Sequence, residues 1–221
     1  VGAGRKIYAE HPERALYRTD YRLRLSGNRV CKRCTEGSLG KNTPLDTGAQ
    51  MSELMWACAI LPEKEERAIK RICRRLNNGV GLPETVFRFP LHISLKKSWD
   101  CDRFEAAQTD VADYLKHCGS FDIDIGKPIM HKNMIWLPVG VTEKLQEIHS
   151  GLDLLLERKY AVPRTAFDTS FLPHISLFTK GDHRDMAAMH ELLVKENMPR
   201  TAQIRNVVIG GAVHRDTYYT I

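Results

Sequence analysis

The chain is predicted to fold as an α+β protein of two similar lobes, with antiparallel sheets, helices on their outer faces and a central cleft. Three observations predict this. The tetrapeptide His-Ile-Ser-Leu occurs twice, at 92–95 and 174–177. Short apolar runs of strand type alternate with amphipathic stretches of helical period from residue 54 onward. Each copy of the tetrapeptide is followed by a helical stretch and then by a pair of strands, so the chain reads as one pattern used twice in tandem, with helices laid over one face of each sheet.

The elements follow in order. Residues 54–61, "LMWACAIL", form a short uninterrupted apolar run, as expected of a buried strand. Pro62 then suits the first position of a helix, and Glu63, Glu65 and Glu66 place negative charge where the helix dipole favours it. That helix carries Ile69, Ile72, Cys73 and Leu76 on its inward stripe and stops at Asn78-Gly79. The strand "FRFPLHISLKK" comes next, then a second helix over 99–119 that ends at Gly119. Residues 121–130 and 133–140 read as two strands joined tightly around His131-Lys132. A third helix spans 141–160 with Thr142 as its N-cap, and a loop over 161–171 leads to the second His-Ile-Ser-Leu strand. A fourth helix over 181–197 and strands over 201–213 and 217–221 complete the pattern.

Composition bounds the rest. With 221 residues and 43% hydrophobic content the chain can bury a sizeable core. No apolar run approaches the roughly 18–20 residues of a membrane span, and the N-terminus lacks the apolar stretch and cleavage site of a signal peptide. The expectation is a cytoplasmic, monomeric protein with no membrane partner. The formal net charge of +6 is uneven: residues 1–50 hold ten Lys and Arg against five Asp and Glu, while the remainder is nearly balanced. The domain expectation is therefore a basic arm or linker over 1–50, suited to nucleic-acid phosphates, before a bilobal body over 51–221. The six cysteines do not resemble a secreted disulfide framework. Cys31-Lys-Arg-Cys34 supplies half of a zinc knuckle, and no second pair follows at the usual spacing, so reduced thiols and no metal are expected.

With nine histidines, nine serines and 22 leucines in 221 residues, two copies of His-x-Ser-Leu by accident are far from expectation. Geometry gives them a use. In a strand, residues i and i+2 share a face. His92, Ser94 and Lys96 point one way, and His174, Ser176 and Phe178 do the same in the second copy, while Ile and Leu point to the other side. If the two lobes are related by a pseudo-two-fold, the polar faces meet across one cleft. Two imidazoles there suit proton transfer at a phosphodiester, one taking a proton from the attacking oxygen and the other giving one to the leaving oxygen. The serine hydroxyls can donate to the non-bridging oxygens. No metal or cofactor is required.

Paired strands of this kind at this separation resemble the 2H phosphoesterase superfamily, over residues 52–221 and specifically at His92-Ile-Ser94-Leu95 and His174-Ile-Ser176-Leu177. The resemblance implies a bilobal 2H phosphoesterase-like fold and metal-independent cleavage of RNA or a nucleotide with a 2′-5′ linkage, a 2′,3′-cyclic phosphate or a free 3′ end. It implies His92 and His174 as the catalytic pair, without saying which is acid and which is base, and Ser94 and Ser176 as phosphate contacts. Many members have threonine at the serine positions, and the donor survives that change. The alternatives are a 3′-to-5′ RNA exonuclease of the U6-trimming type, a phage-type nuclease that degrades cyclic oligonucleotide signals, and a non-catalytic RNA-binding module.

Further candidates carry a weaker signal. Lys96 is either a phosphate contact or a solvated lysine; Phe178 is either a base-stacking ring or core. Tyr218 and Tyr219 alternate, so one of them faces the cleft, and Tyr218 is taken as the substrate contact. Trp56 and Trp136 read as core. His131 and His214 fall in turns, and His117, His149, His183 and His190 are solitary polar residues on or near helices.

Overall fold

The structure, a computed structural model, describes residues 52–212 and 216–221. The basic arm with Cys31 and Cys34, and His214, lie outside the described residues. The first strand, β1 (Glu53–Ile60), buries Met55, Ala57 and Ala59 on one side, and helix α1 (Glu63–Asn77) follows it directly. α1 has Glu63, Glu65 and Glu66 in its first turn and Arg74 and Arg75 in its last, so both ends suit its dipole. Asn77 ends the helix and pins the next loop: its Nδ2 donates to the Leu82 carbonyl at 2.8 Å and its Oδ1 accepts from Leu82 N at 2.7 Å.

A 3₁₀ turn (Thr85–Arg88) precedes β2 (His92–Cys101). The second strand therefore starts later and runs further than its apolar pattern suggests, and α2 begins only at Phe104 (Phe104–Cys118). β3 (Phe121–Asp124), β4 (Ile129–His131) and β5 (Met134–Pro138) come next. α3 (Glu143–Tyr160) is capped by the Thr142 side chain, which accepts from Leu145 N at 3.1 Å. The segment expected as plain loop holds a four-residue helix, α4 (Ala166–Thr169), set by a capping box of Thr165 and Asp168. β6 (His174–Phe178), α5 (His183–Val194), β7 (Thr201–Ile204), β8 (Asn206–Gly211) and β9 (Thr217–Thr220) complete the described chain. The apolar stretch after residue 200 is thus two strands broken at Arg205.

All pairings are antiparallel. One sheet has the order β2-β1-β8-β9; another is β4-β5-β6; β3 and β7 form a pair, joined to the end of β5 by a bridge between Ile125 and Val139. The lobes are therefore not consecutive in sequence. β8 and β9 return from the far end of the chain to lie beside β1. β1 is a central strand and β8 supplies its second neighbour. The first sheet buries its apolar face, with Ala57, Ala59, Ile93, Val207 and Ile209, under α2 and α3. The second buries Ile135, Leu137, Ile175 and Leu177 under α5, which also packs on α1. The opposite faces stay open, and the two edge strands β2 and β6 pack side by side.

Leu145, Ile148, Leu152 and Leu156 form the fully buried stripe of α3. Leu152→Ala is expected to cost about 2–5 kcal/mol of unfolding free energy. Urea denaturation checks this as a lower midpoint with an unchanged slope.

Candidate active site

The two His-Ile-Ser-Leu segments are held in the same way, bond for bond. Nδ1 of His92 lies 2.9 Å from the Pro90 carbonyl, and Nδ1 of His174 lies 2.9 Å from the Leu172 carbonyl. A carbonyl can only accept, so each Nδ1 carries a hydrogen, and in the neutral ring the lone pair is on Nε2. The carbonyl just before each histidine accepts from the adjoining strand: Leu61 N to Leu91 O, and Val139 N to Pro173 O, both at 2.9 Å. Proline sits in both approaches, where it removes one donor and keeps the chain extended.

Both strands then break step at the same residue. Ser94 stands opposite Cys58 but Lys96 opposite Ala57, which leaves Leu95 as an extra residue. Ser176 stands opposite Trp136 but Phe178 opposite Ile135, which leaves Leu177 extra. Such a bulge re-aims the side chains that follow it. His92, Ser94, His174 and Ser176 are half-buried on the open faces; the residues after each bulge join the face of Ala57 and Ile135 instead.

This corrects two expectations. Lys96 is 2% exposed and does not share the face of His92 and Ser94. Its Nζ is 2.6 Å from both Asp153 Oδ1 and Asp168 Oδ2. Phe178 is 0% exposed and packs edge-on against Phe87 with centroids 5.4 Å apart. Both side chains are buried away from the face of the histidines and serines, because strict alternation ends at the bulge. Tyr218 lies on the face of Ser94: the register carries the row Ser94, Cys58, Val208 and Tyr218 across the four strands, and Tyr218 is 54% exposed. Tyr219 faces the other way, with the Lys116 ammonium over its ring.

Four residues gain roles that the sequence does not disclose. Trp136 stacks on His174 with centroids 3.8 Å apart and planes within 14°, and His131 stacks on the other side of the same indole at 4.4 Å. A rigid three-ring stack thus fixes the plane of the His174 imidazole. The corresponding place beside Ser94 is taken by Cys58, whose thiol is in hydrogen-bond contact with the serine. Burial pushes that thiol up to about 12, so it remains protonated. His149 is buried behind the first motif, with Nδ1 2.7 Å from the Leu95 carbonyl and its ring stacked on Phe171 at 3.9 Å.

His149, Asp153 and Asp168 have the spacing of a cation site, but the ammonium of Lys96 already lies against both carboxylates. These residues fit a buried ion pair, not a metal centre. Burial alone raises the Asp168 carboxyl; the Lys96 ammonium and the N–H and hydroxyl of Thr165, at 2.6 and 2.8 Å, outweigh it and hold the group below its usual 3.8. The cluster ties β2, α3 and α4 together, just upstream of His174.

A family model described as the 2′-5′ RNA ligase superfamily matches residues 61–210. The chain belongs to that superfamily, the 2H phosphoesterases. It is a phosphoesterase. Among solved structures, Escherichia coli LigT complexed with 3′-AMP is 12% identical, with a TM-score of 0.50 over 77% of this chain and 96% of that one. Kluyveromyces marxianus Usb1 is 12% identical, with a TM-score of 0.46 over 78% and 99% of the two chains. A structure described as a phosphoesterase is 13% identical, with a TM-score of 0.48 over 77% and 96%. The likeness to the LigT complex is one of fold. No curated protein sequence matches the chain.

Removing Lys96 strands two buried carboxylates, so Lys96→Met is expected to cost about 3–5 kcal/mol, against at most about 0.5 kcal/mol for the partly exposed neighbour in Lys97→Met. Chemical denaturation of both variants checks the contrast. Because the folded-state value of Asp168 is depressed, its contribution is fully present above the unfolded value and is lost as pH falls through the folded one. The stability gap between the parent and Asp168→Asn is therefore constant from about pH 5 to 8 and shrinks below about pH 4. Urea titrations at a series of pH values measure it.

Proposed function

We propose that the chain is a metal-independent phosphodiesterase acting on RNA or a nucleotide that carries a 2′-5′ linkage or a 2′,3′-cyclic phosphate. His92 and His174 are its general acid–base pair, and Ser94 and Ser176 are donors to the phosphate. The observation that carries this reading is the matched pair of imidazoles, each locked through Nδ1 to a carbonyl two residues upstream. That bond fixes the ring and directs proton exchange to Nε2, the nitrogen a reacting oxygen meets. One neutral ring takes the proton of the attacking hydroxyl or water while the other, protonated, gives one to the leaving oxygen. Together they perform both proton transfers of the displacement, and the two hydroxyls offset the charge that grows on the non-bridging oxygens. A nucleotide substrate agrees with the 3′-AMP complex of LigT. Tyr218, on the same face as His92 and Ser94, is a contact to the base or ribose.

Turnover of 2′-5′ and 3′-5′ dinucleotides, 2′,3′-cyclic phosphates and cyclic oligonucleotides in the presence of EDTA tests the proposal. Activity is expected to survive the chelator, and His92→Ala and His174→Ala are each expected to lower kcat by about 100- to 10,000-fold. Ser94→Ala is expected to lower it less than either. Loss of all turnover to EDTA, or histidine variants as active as the parent, refutes the mechanism.

A further inference from the structure

The open face of the first sheet carries aromatic side chains well away from both histidines. Along β1 the residues on that face are Ile60, Cys58 and Trp56, and Trp56 stands opposite Gly210 of β8. The indole crosses over β8, where its Nε1 donates to Asp216 Oδ1 at 3.0 Å. Gly210 makes this crossing possible. A Cβ there would lie 2.6 Å from Trp56 Nε1 and 1.9 Å from Asp216 Oδ1, closer than any side chain allows. Asp216 precedes β9, so the hydrogen-bond partner of the half-buried indole lies two residues before Tyr218. Burial and the carboxylates of Asp216 and Glu66 push the Tyr218 phenol up, so its hydroxyl stays a donor.

We infer that Trp56 and Tyr218 form a stacking subsite for a nucleobase of a single-stranded oligonucleotide, on a nucleotide other than the one whose phosphate lies at His92 and Ser94. This rests on the proposed phosphodiesterase reading and extends it to the class of substrate. Three strand spacings separate Ser94 from Tyr218, about 14 Å across the sheet, so a phosphate at the first and a base on the second belong to different nucleotides. The Asp216 carboxylate beside the rings repels phosphate, so an uncharged ring is what this surface takes. Stacking on aromatic side chains tolerates any base, which suits a track that binds chain length rather than sequence.

Fluorescence anisotropy of 5′-labelled oligoadenylates of two to six nucleotides, with the full chain carrying His92→Ala and His174→Ala to prevent turnover, tests the inference. Affinity is expected to step up once the oligonucleotide is longer than a dinucleotide. Adding Trp56→Ala or Tyr218→Ala is expected to weaken the longer ligands on the order of tenfold and flatten the step. Trp56→Phe is expected to restore most of it, with thermal melting confirming a folded chain in each case. Equal binding at all lengths, or aromatic variants that bind like their parent, overturns the subsite. Turnover of a 2′,3′-cyclic mononucleotide by the parent chain reports on the catalytic reading separately. An inactive chain that still shows the Trp56-dependent step refutes the catalysis and keeps the subsite; an active chain with no step does the reverse.

Discussion

A strand keeps its side chains on alternate faces only while its pairing is unbroken, and both histidine strands break theirs one residue after the serine. Much of the site follows from that single extra leucine. It ends the cleft-facing segment at two polar positions, His and Ser, and turns the next residue into the protein. In the first copy that residue is Lys96, and an inward ammonium requires anions. Asp153 of α3 and Asp168 of α4 supply them, and Asp168 at the same time builds the capping box that shapes the approach to the second histidine. In the second copy the inward residue is Phe178, which closes the core against Phe87. The same backbone irregularity is thus served by charge in one lobe and by apolar packing in the other.

The repeat of four residues, the period of two and the helix punctuation are local, and they made the α+β class, most helices and the two histidines legible in the sequence. What escaped depends on partners distant along the chain. Nothing near Lys96 announces that Asp153 and Asp168 will surround it, and a one-residue bulge leaves no mark in a run as regular as "HISLKK". Trp136 and His131 were unremarkable as an apolar residue and a turn residue; only the pairing of β5 with β4 and β6 stacks them with His174. The chain order of the sheets was hidden for the same reason, because a duplicated pattern looks alike whether its halves are consecutive or interleaved.

The two halves of the site differ where their backbones do not. His174 is braced by an indole and a second imidazole, whereas the matching place in the first lobe holds a small buried thiol. Two strands of matching sequence and matching bulge therefore give their histidines unlike surroundings.

The return of β8 and β9 to the first sheet bears on how the protein assembles. β1 gains its second neighbour only after roughly 150 further residues have been made. Until then its far edge is an unsatisfied template of N–H and C=O groups, open to pairing with other chains. Sheets closed by such distant contacts also form slowly. The first lobe is consequently the last to be finished, and the nascent chain is most vulnerable to misassociation along the sheet that bears His92.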